Sequence, residues 1–301
     1  MACWSRLRRW AGSISGKNNL KVARLRFTIG PNIFLNSMEQ EHSMSSPASP
    51  TPLPIASTEP ARPAMSQLSR IFSMFYAPSK TFADVRIKAS WWAPWVFASI
   101  FSLAFGFTAV QKLDMRTVVQ QQIDQSKMAQ RQMEQMSPEQ REHNIAIRAS
   151  ITKVVFFVFP VFALIGGIVM AAVLMAVFNF GFAAEVPFDR ALAIVFYSFI
   201  PGIIVSLLGI LTFLTSSDLS GFNIKNPVAT NPAFFMDPLG NKFLYALATR
   251  VDIIAIWILI LMGLGFATVS KRKLAPATAI ITMAVIYGVY ALAAAGLGSA
   301  F

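Results

Sequence analysis

Arg250 and Asp252 stand at the head of a long apolar run. An acid inside lipid is expensive enough to be a functional candidate by default, and proton or ion coupling is the chemistry open to Asp252 there. Both residues fall in the first two turns of the run, where a charged side chain reaches the interface at little cost. Glu185 and Asp189, four apart around Pro187, could in principle share acid–base work. With no His, Lys partner or metal ligand beside them, they read better as a solvated turn and a helix N-cap. His42 and His143 lie far apart in polar segments, and Cys3 is the only cysteine, which excludes a disulfide and a Cys metal site. No Gly-rich phosphate loop or nucleophile elbow occurs either. The chain is therefore expected not to be an enzyme, with no catalytic, cofactor-binding or metal-binding residues and no cofactor.

The elements around these residues are those of a membrane protein. Of 301 residues 55% are hydrophobic and 13% charged, against about 25% charged in a soluble domain. The apolar residues gather into long runs with short polar stretches between, which is how membrane spans read. The net charge of +12 needs dividing before it is interpreted. Seven cations fall in residues 1–37 (Arg6, Arg8, Arg9, Lys17, Lys21, Arg24 and Arg26) without an acid, leaving +5 for the rest. That tract has no helical or strand period and no regularly spaced aromatics, and the remaining cations flank apolar runs, so lipid headgroups and not nucleic acid are the expected partner.

Three segments follow. Residues 1–37 read as a basic disordered extension, either a targeting sequence or upstream sequence ahead of a true start at Met38, Met44 or Met65; the second reading is favoured because no continuous apolar core is present. Residues 38–65 are a Pro/Ser-rich linker, and residues 66–300 the membrane domain. Its first residues place Leu68, Ile71, Phe72 and Phe75 at helical spacing beside Arg70, followed by Phe82, Val85 and Ile87 interleaved with Lys80, Arg86 and Lys88. The segment is too short and charged to span. It reads as an interfacial helix with cations snorkelling to headgroups, or as a helix packed on the protein.

Five spans follow: Trp91–Val110, Val154–Phe178, Ala191–Thr215, Tyr245–Val269 and Leu274–Gly298. Trp91, Trp92 and Trp95 form an aromatic belt at the first entry. Residues 111–150 read as an extramembrane helical hairpin. The first span runs on into its outgoing arm, and Ser137-Pro138-Glu139-Gln140 starts the returning one. Residues 216–242 form an Asn- and Pro-rich loop. The Lys271-Arg272-Lys273 cluster and Arg190 place the N-terminus in the cytoplasm and the C-terminus outside, in the cell membrane.

The residues in this order resemble the bacterial branch of the Yip-one (Ypt/Rab-interacting protein) membrane-domain family, over about residues 68–298. The matching stretches are Arg70-Ile71-Phe72, Pro78-Ser79-Lys80-Thr81-Phe82, Trp91-Trp92-Ala93-Pro94, Tyr197-Ser198-Phe199-Ile200-Pro201, Asp252 to Trp257, Gly263-Leu264-Gly265 and Ser270-Lys271. The resemblance implies an all-α, polytopic bundle of about five transmembrane helices. Eukaryotic relatives associate with prenylated Rab GTPases, a system that the bacterial branch lacks, so that role does not carry over.

The candidate helix-packing or cavity residues are Tyr197, Ser198, Pro201, Gly202, Asp252 and Trp257. Pro201 frees a carbonyl in mid-span, and Ser198, Gly202 and Ser206 make a small-residue stripe. The stripe reads as a packing face in preference to a cavity wall. Gly167 with Ala171, and Ala284 with Gly288, read as matching faces on spans two and five. The expected function is non-catalytic, organising membrane or recruiting partners; the alternative is a small-solute, ion or lipid transporter or channel, for which Ser and Thr side chains, Asn179 and the Pro201 break are the polar features that spans two to five offer. The expected partners are the lipid bilayer and other membrane proteins or further copies of the chain.

Overall fold

The computed structural model describes residues 64–219, 222–224 and 226–300, the last three by backbone only. The basic tract 1–37 and the linker as far as residue 63 lie outside the described residues. What is described is helical, without a strand, and carries four helices long and apolar enough to cross a membrane, or five with one bent pair.

The spans are α3 (Trp92–Lys112), α6 (Pro138–Phe182), the pair α7 (Phe188–Ser198) and α8 (Ile203–Thr215), the bent pair α9 (Lys242–Ala248) and α10 (Ile253–Val269), and α11 (Pro276–Ala300). Their alternation puts the connectors 183–187 and 270–275 at one end, here the basic end. Two bonds tie these connectors: Lys271 N–H donates to the Ala184 carbonyl at 2.9 Å and Ser270 Oγ to the same oxygen at 3.2 Å. Lys271 and Arg272 both face Glu185 at 3.6 Å. Glu185 thus serves an exposed ion-pair cluster. Asp189 lies in the first turn of α7, where it suits the helix dipole, but the cap position belongs to Pro187. Asn179, read above as a polar feature open to transport, brackets Val186 in the connector through both its amide groups, at 2.8 and 2.9 Å.

At the opposite end the returning arm begins as read from the sequence. Ser137 and Gln140 form a reciprocal capping box, and α6 runs unbroken for 45 residues, roughly 68 Å at 1.5 Å per residue. The outgoing arm differs. The first span stops at Lys112 because Asp114 caps a new helix, α4 (Met115–Asp124), and Ser126 caps α5 (Lys127–Glu134). Met115, Val118, Val119 and Ile123 of these short helices, with Ala109, Ala149 and Phe213, form a small core of their own beneath the hairpin.

Span four is also broken. α9 and α10 meet at 52°, since Asp252 turns its carboxylate onto the Ile254 and Ala255 N–H groups and restarts the helix. The expected match of spans two and five does not form. α6 packs on α3 and α7, α11 packs on α10 and α9, and Ala284 and Gly288 meet no neighbouring helix. Gly167 does meet one, its Cα closed over by the Phe196 ring.

Candidate functional site

The segment expected at the interface is two helices, α1 (Gln67–Tyr76) and α2 (Pro78–Ile87), joined at Ala77. Ser66 caps the first and Pro78 opens the second. One face of this pair is driven into the bundle: Ile71, Met74, Phe82 and Val85 are among the most buried residues of the main core. α2 lies against α10 and α7, and α1 against α3, α7 and the turn at Pro201. Phe82 comes so near Gly265 that a Cβ there would sit 2.6 Å from Ile194 and 3.0 Å from the Phe82 ring. At its tip Phe75 meets Trp257 edge to face, with centroids 5.8 Å apart. Trp257 is twelve residues short of the end of α10, so the pair reaches roughly 18 Å along that helix from the basic end.

The outer face remains apolar and exposed, through Leu68, Phe72, Tyr76 and Ile87. Of the stripe read in the sequence, then, only Ile71 is fully buried, while Phe75 reaches Trp257, so the pair is packed on the protein and leaves an apolar face outward. Lys80, Arg86 and Lys88 are exposed, as snorkelling requires.

Arg70 is the correction. It does not snorkel: it is 1% exposed, and its Nε donates to Asp84 Oδ2 at 2.6 Å, with Asp84 itself 11% exposed. Asp84 also accepts from the Met65 N–H at 3.2 Å, and Thr81 Oγ1 donates to the Arg70 carbonyl at 3.1 Å. Tyr197, fully buried, donates its hydroxyl to Gln67 Oε1 at 2.9 Å. One guanidinium nitrogen, Nη1, is buried without a partner. Arg70 and Asp84 are thus a second site, besides Arg250 and Asp252, where ionisable residues enter the bundle. A charge pair held at 2.6 Å inside a bundle locks the two helices to each other, because opening them would leave Arg70 uncompensated.

Of the candidate residues, Tyr197, Ser198, Pro201 and Trp257 thus gather around this docked pair. Ser198 is fully buried. Pro201 sits in a single tight turn, Ile200–Gly202, that separates α7 from α8. Gly202 departs from the packing expectation. A Cβ there would meet nothing within 4 Å, and Gly202 and Ser206 line a cavity of about 440 Å³ between α3, α6 and the turn. Its walls are mostly apolar, with Ser99 and Ser102 adding hydroxyls; Ser99 donates back to the Trp95 carbonyl at 2.7 Å. Trp95 Nε1 in turn donates to the Pro160 carbonyl at 3.1 Å, which holds α3 against α6 at the cavity's edge.

Asp252 belongs elsewhere, at the opposite end. Beyond the two N–H groups it caps, it accepts from Thr230 Oγ1, and from Asn231 Nδ2 at 3.4 Å. Its carboxylate thus holds the loop on the broken span.

The family model described as the Yip1 domain matches residues 72–295, taking in α2 through most of α11. No curated protein and no solved structure matches the chain.

Proposed function

Since the chain belongs to the Yip1 domain family, we propose that it is a non-catalytic multi-pass membrane protein that organises the leaflet at its basic end by holding α1 and α2 there as a fixed wedge. One observation carries this reading. The wedge is closed on itself by a buried ion pair, is seated in the bundle through Ile71, Met74, Phe82 and Val85 and the Tyr197–Gln67 bond, and offers an apolar, aromatic-rich face on its outer side. A short element of this kind occupies area in one leaflet without crossing to the other, which is how an amphipathic helix stresses a bilayer. The membrane is read as the cell membrane. By the positive-inside rule the Lys271–Lys273 end is cytoplasmic, so the wedge lies in the inner leaflet and α11 ends outside.

The test is reconstitution of the full chain into vesicles of fixed lipid composition, with vesicle diameter and sorting onto drawn membrane tethers as readouts. The wild type is expected to concentrate on narrow tethers, and a Phe72→Ser/Tyr76→Ser variant to lose that preference while keeping its fold. Equal sorting of the two would remove the wedge as the active element. A second reading, movement of a small apolar solute or lipid, is favoured by the 440 Å³ cavity beside Gly202. Lipid or solute flux in the same vesicles, blocked by Gly202→Trp, is what it requires.

A further inference from the structure

Where α9 gives way to α10, a second pocket of about 540 Å³ opens among Asn223, residues 226–231, α9, α10 and α11. A volume of that size is ordinary for a small-ligand site. Its wall carries Arg250, and the state of that side chain is unusual. The backbone carbonyl of Arg250 is fixed by the Tyr287 hydroxyl, which donates to it at 2.8 Å. The guanidinium lies over the Tyr290 ring, 5.6 Å from its centroid, and Nη1 donates to Thr249 Oγ1 at 3.3 Å. Nε is buried and has no partner.

Among the described residues no carboxylate forms an ion pair with this cation, although Asp252 lines the same pocket. Asp252, the acid nearest in sequence, is taken up by its two capped N–H groups, Thr230 and Asn231, and forms no ion pair with Arg250. Asn226 and Asn231 bind each other, at 2.8 and 3.2 Å, and so shape the rim without supplying a counter-charge. What remains is a guanidinium oriented by two contacts, on a backbone fixed by a third, lining a cavity with hydrogen-bond capacity unspent. Such a group matches the oxygens of a phosphate in paired geometry, and its rigidity lowers the entropy cost of binding.

We propose that this pocket binds a phosphate ester anion through Arg250. The level of the pocket bears on its source. α10 covers roughly 25 Å between the Lys271 cluster and Asp252, close to the thickness of a hydrocarbon core. Arg250 therefore lies at the headgroup level of the leaflet opposite the wedge, where a phospholipid phosphate and a free phosphate ester from solution can both reach it. The site does not depend on the wedge.

The experiment uses the purified full chain in dodecyl maltoside micelles, which contain no phosphate. One arm adds phosphatidylglycerol at increasing mole fraction; the other adds inorganic phosphate or glycerol 3-phosphate. Binding is read by tryptophan or tyrosine fluorescence and by lipid retained in native mass spectrometry. Binding in the first arm alone assigns a lipid headgroup, and in the second alone a soluble ester. In the active arm Arg250→Gln is expected to bind at least about tenfold more weakly, as loss of charge-assisted bonds implies. Arg116→Gln, which removes an exposed cation of the hairpin, should bind as the wild type does. Tyr290 is 55% exposed, so Tyr290→Leu is safe for folding and carries the test if Arg250→Gln is not; about threefold weakening is expected from the lost ring contact. Binding in neither arm, or wild-type affinity in folded Arg250→Gln or in Tyr290→Leu, overturns the proposal.

Discussion

Asp84→Ala is the substitution with the largest consequence per atom removed. Arg70 and Asp84 are 2.6 Å apart and nearly free of solvent. At an effective dielectric of about 20 their gross attraction is about 6 kcal/mol, and desolvation of the two ions offsets most of it. The pair as a whole therefore adds little net stability, but taking away one member leaves a guanidinium buried at 1% exposure with nothing opposite it. The expected cost is about 3–5 kcal/mol. Replacing both, as Arg70→Met/Asp84→Leu, removes the charge along with its partner and should come back to within about 1–2 kcal/mol of the wild type. The assay is reversible unfolding of the reconstituted chain by sodium dodecyl sulfate in mixed micelles, followed by tryptophan fluorescence. Trp257 touches Phe75 at the wedge tip and so reports its release. Asp84→Ala within about 0.5 kcal/mol of the wild type, a typical change for a surface site, would refute a docked wedge. So would a double variant whose loss equals the sum of the two singles.

Other outcomes follow from the same geometry. Gly263→Ala should destabilise by about 1–3 kcal/mol, because its Cβ would fall 2.7 Å from the Ile280 Cα in α11, where the backbone must move; Gly202→Leu, facing open cavity, should leave the melting temperature in detergent unchanged. Cysteine probes at Glu185 and Lys273 should label from one side of the membrane and probes at Gln132 and Gly240, both exposed, from the other; labelling of all four from one side would contradict the alternation of spans. Hydrogen bonds from the Thr117 hydroxyl and the Arg116 N–H hold the Asp114 carboxyl below its usual value. That cap therefore contributes fully above the unfolded carboxylate value of about 3.9, and its contribution is lost as pH falls through the lowered folded value. Asp114→Ala should cost α4 about 0.5–1 kcal/mol of amide-exchange protection near pH 6, with the gap to the wild type closing in strong acid.

What the sequence displays is what each segment can declare by itself. Long apolar runs announce their lipid surroundings, and Ser137-Pro138-Glu139-Gln140 announces a helix start because its capping bonds span only three residues. The same local logic applied to Asp114 and Ser126 would have found the breaks in the outgoing arm, since each accepts from N–H groups two or three residues on. Asp252 is a third such cap, hidden because the run around it is apolar enough to pass for one continuous span.

The wedge and the cavities are a different matter, for they exist only between segments. Arg70 looks like any interfacial cation until α1 and α2 fold on each other and bring Asp84, fourteen residues away, to its Nε. Hydropathy counts both residues as polar and so pushes the segment outward, whereas as a neutral pair they let it go in. Gly202 and Gly265 show the same limit from the packing side. Both are glycines in spans, yet Phe82 closes on one and the space between α3 and α6 is left open beside the other. The residues that carry the family resemblance fall largely at these meeting points: Arg70 and Thr81 inside the wedge, Phe82 and Gly265 where it enters the bundle, Tyr197 and Pro201 on the wall that receives it. Residues from most of the seven short stretches meet at the wedge, while Asp252 caps the far end of α10 and Ser270-Lys271 tie the connectors together.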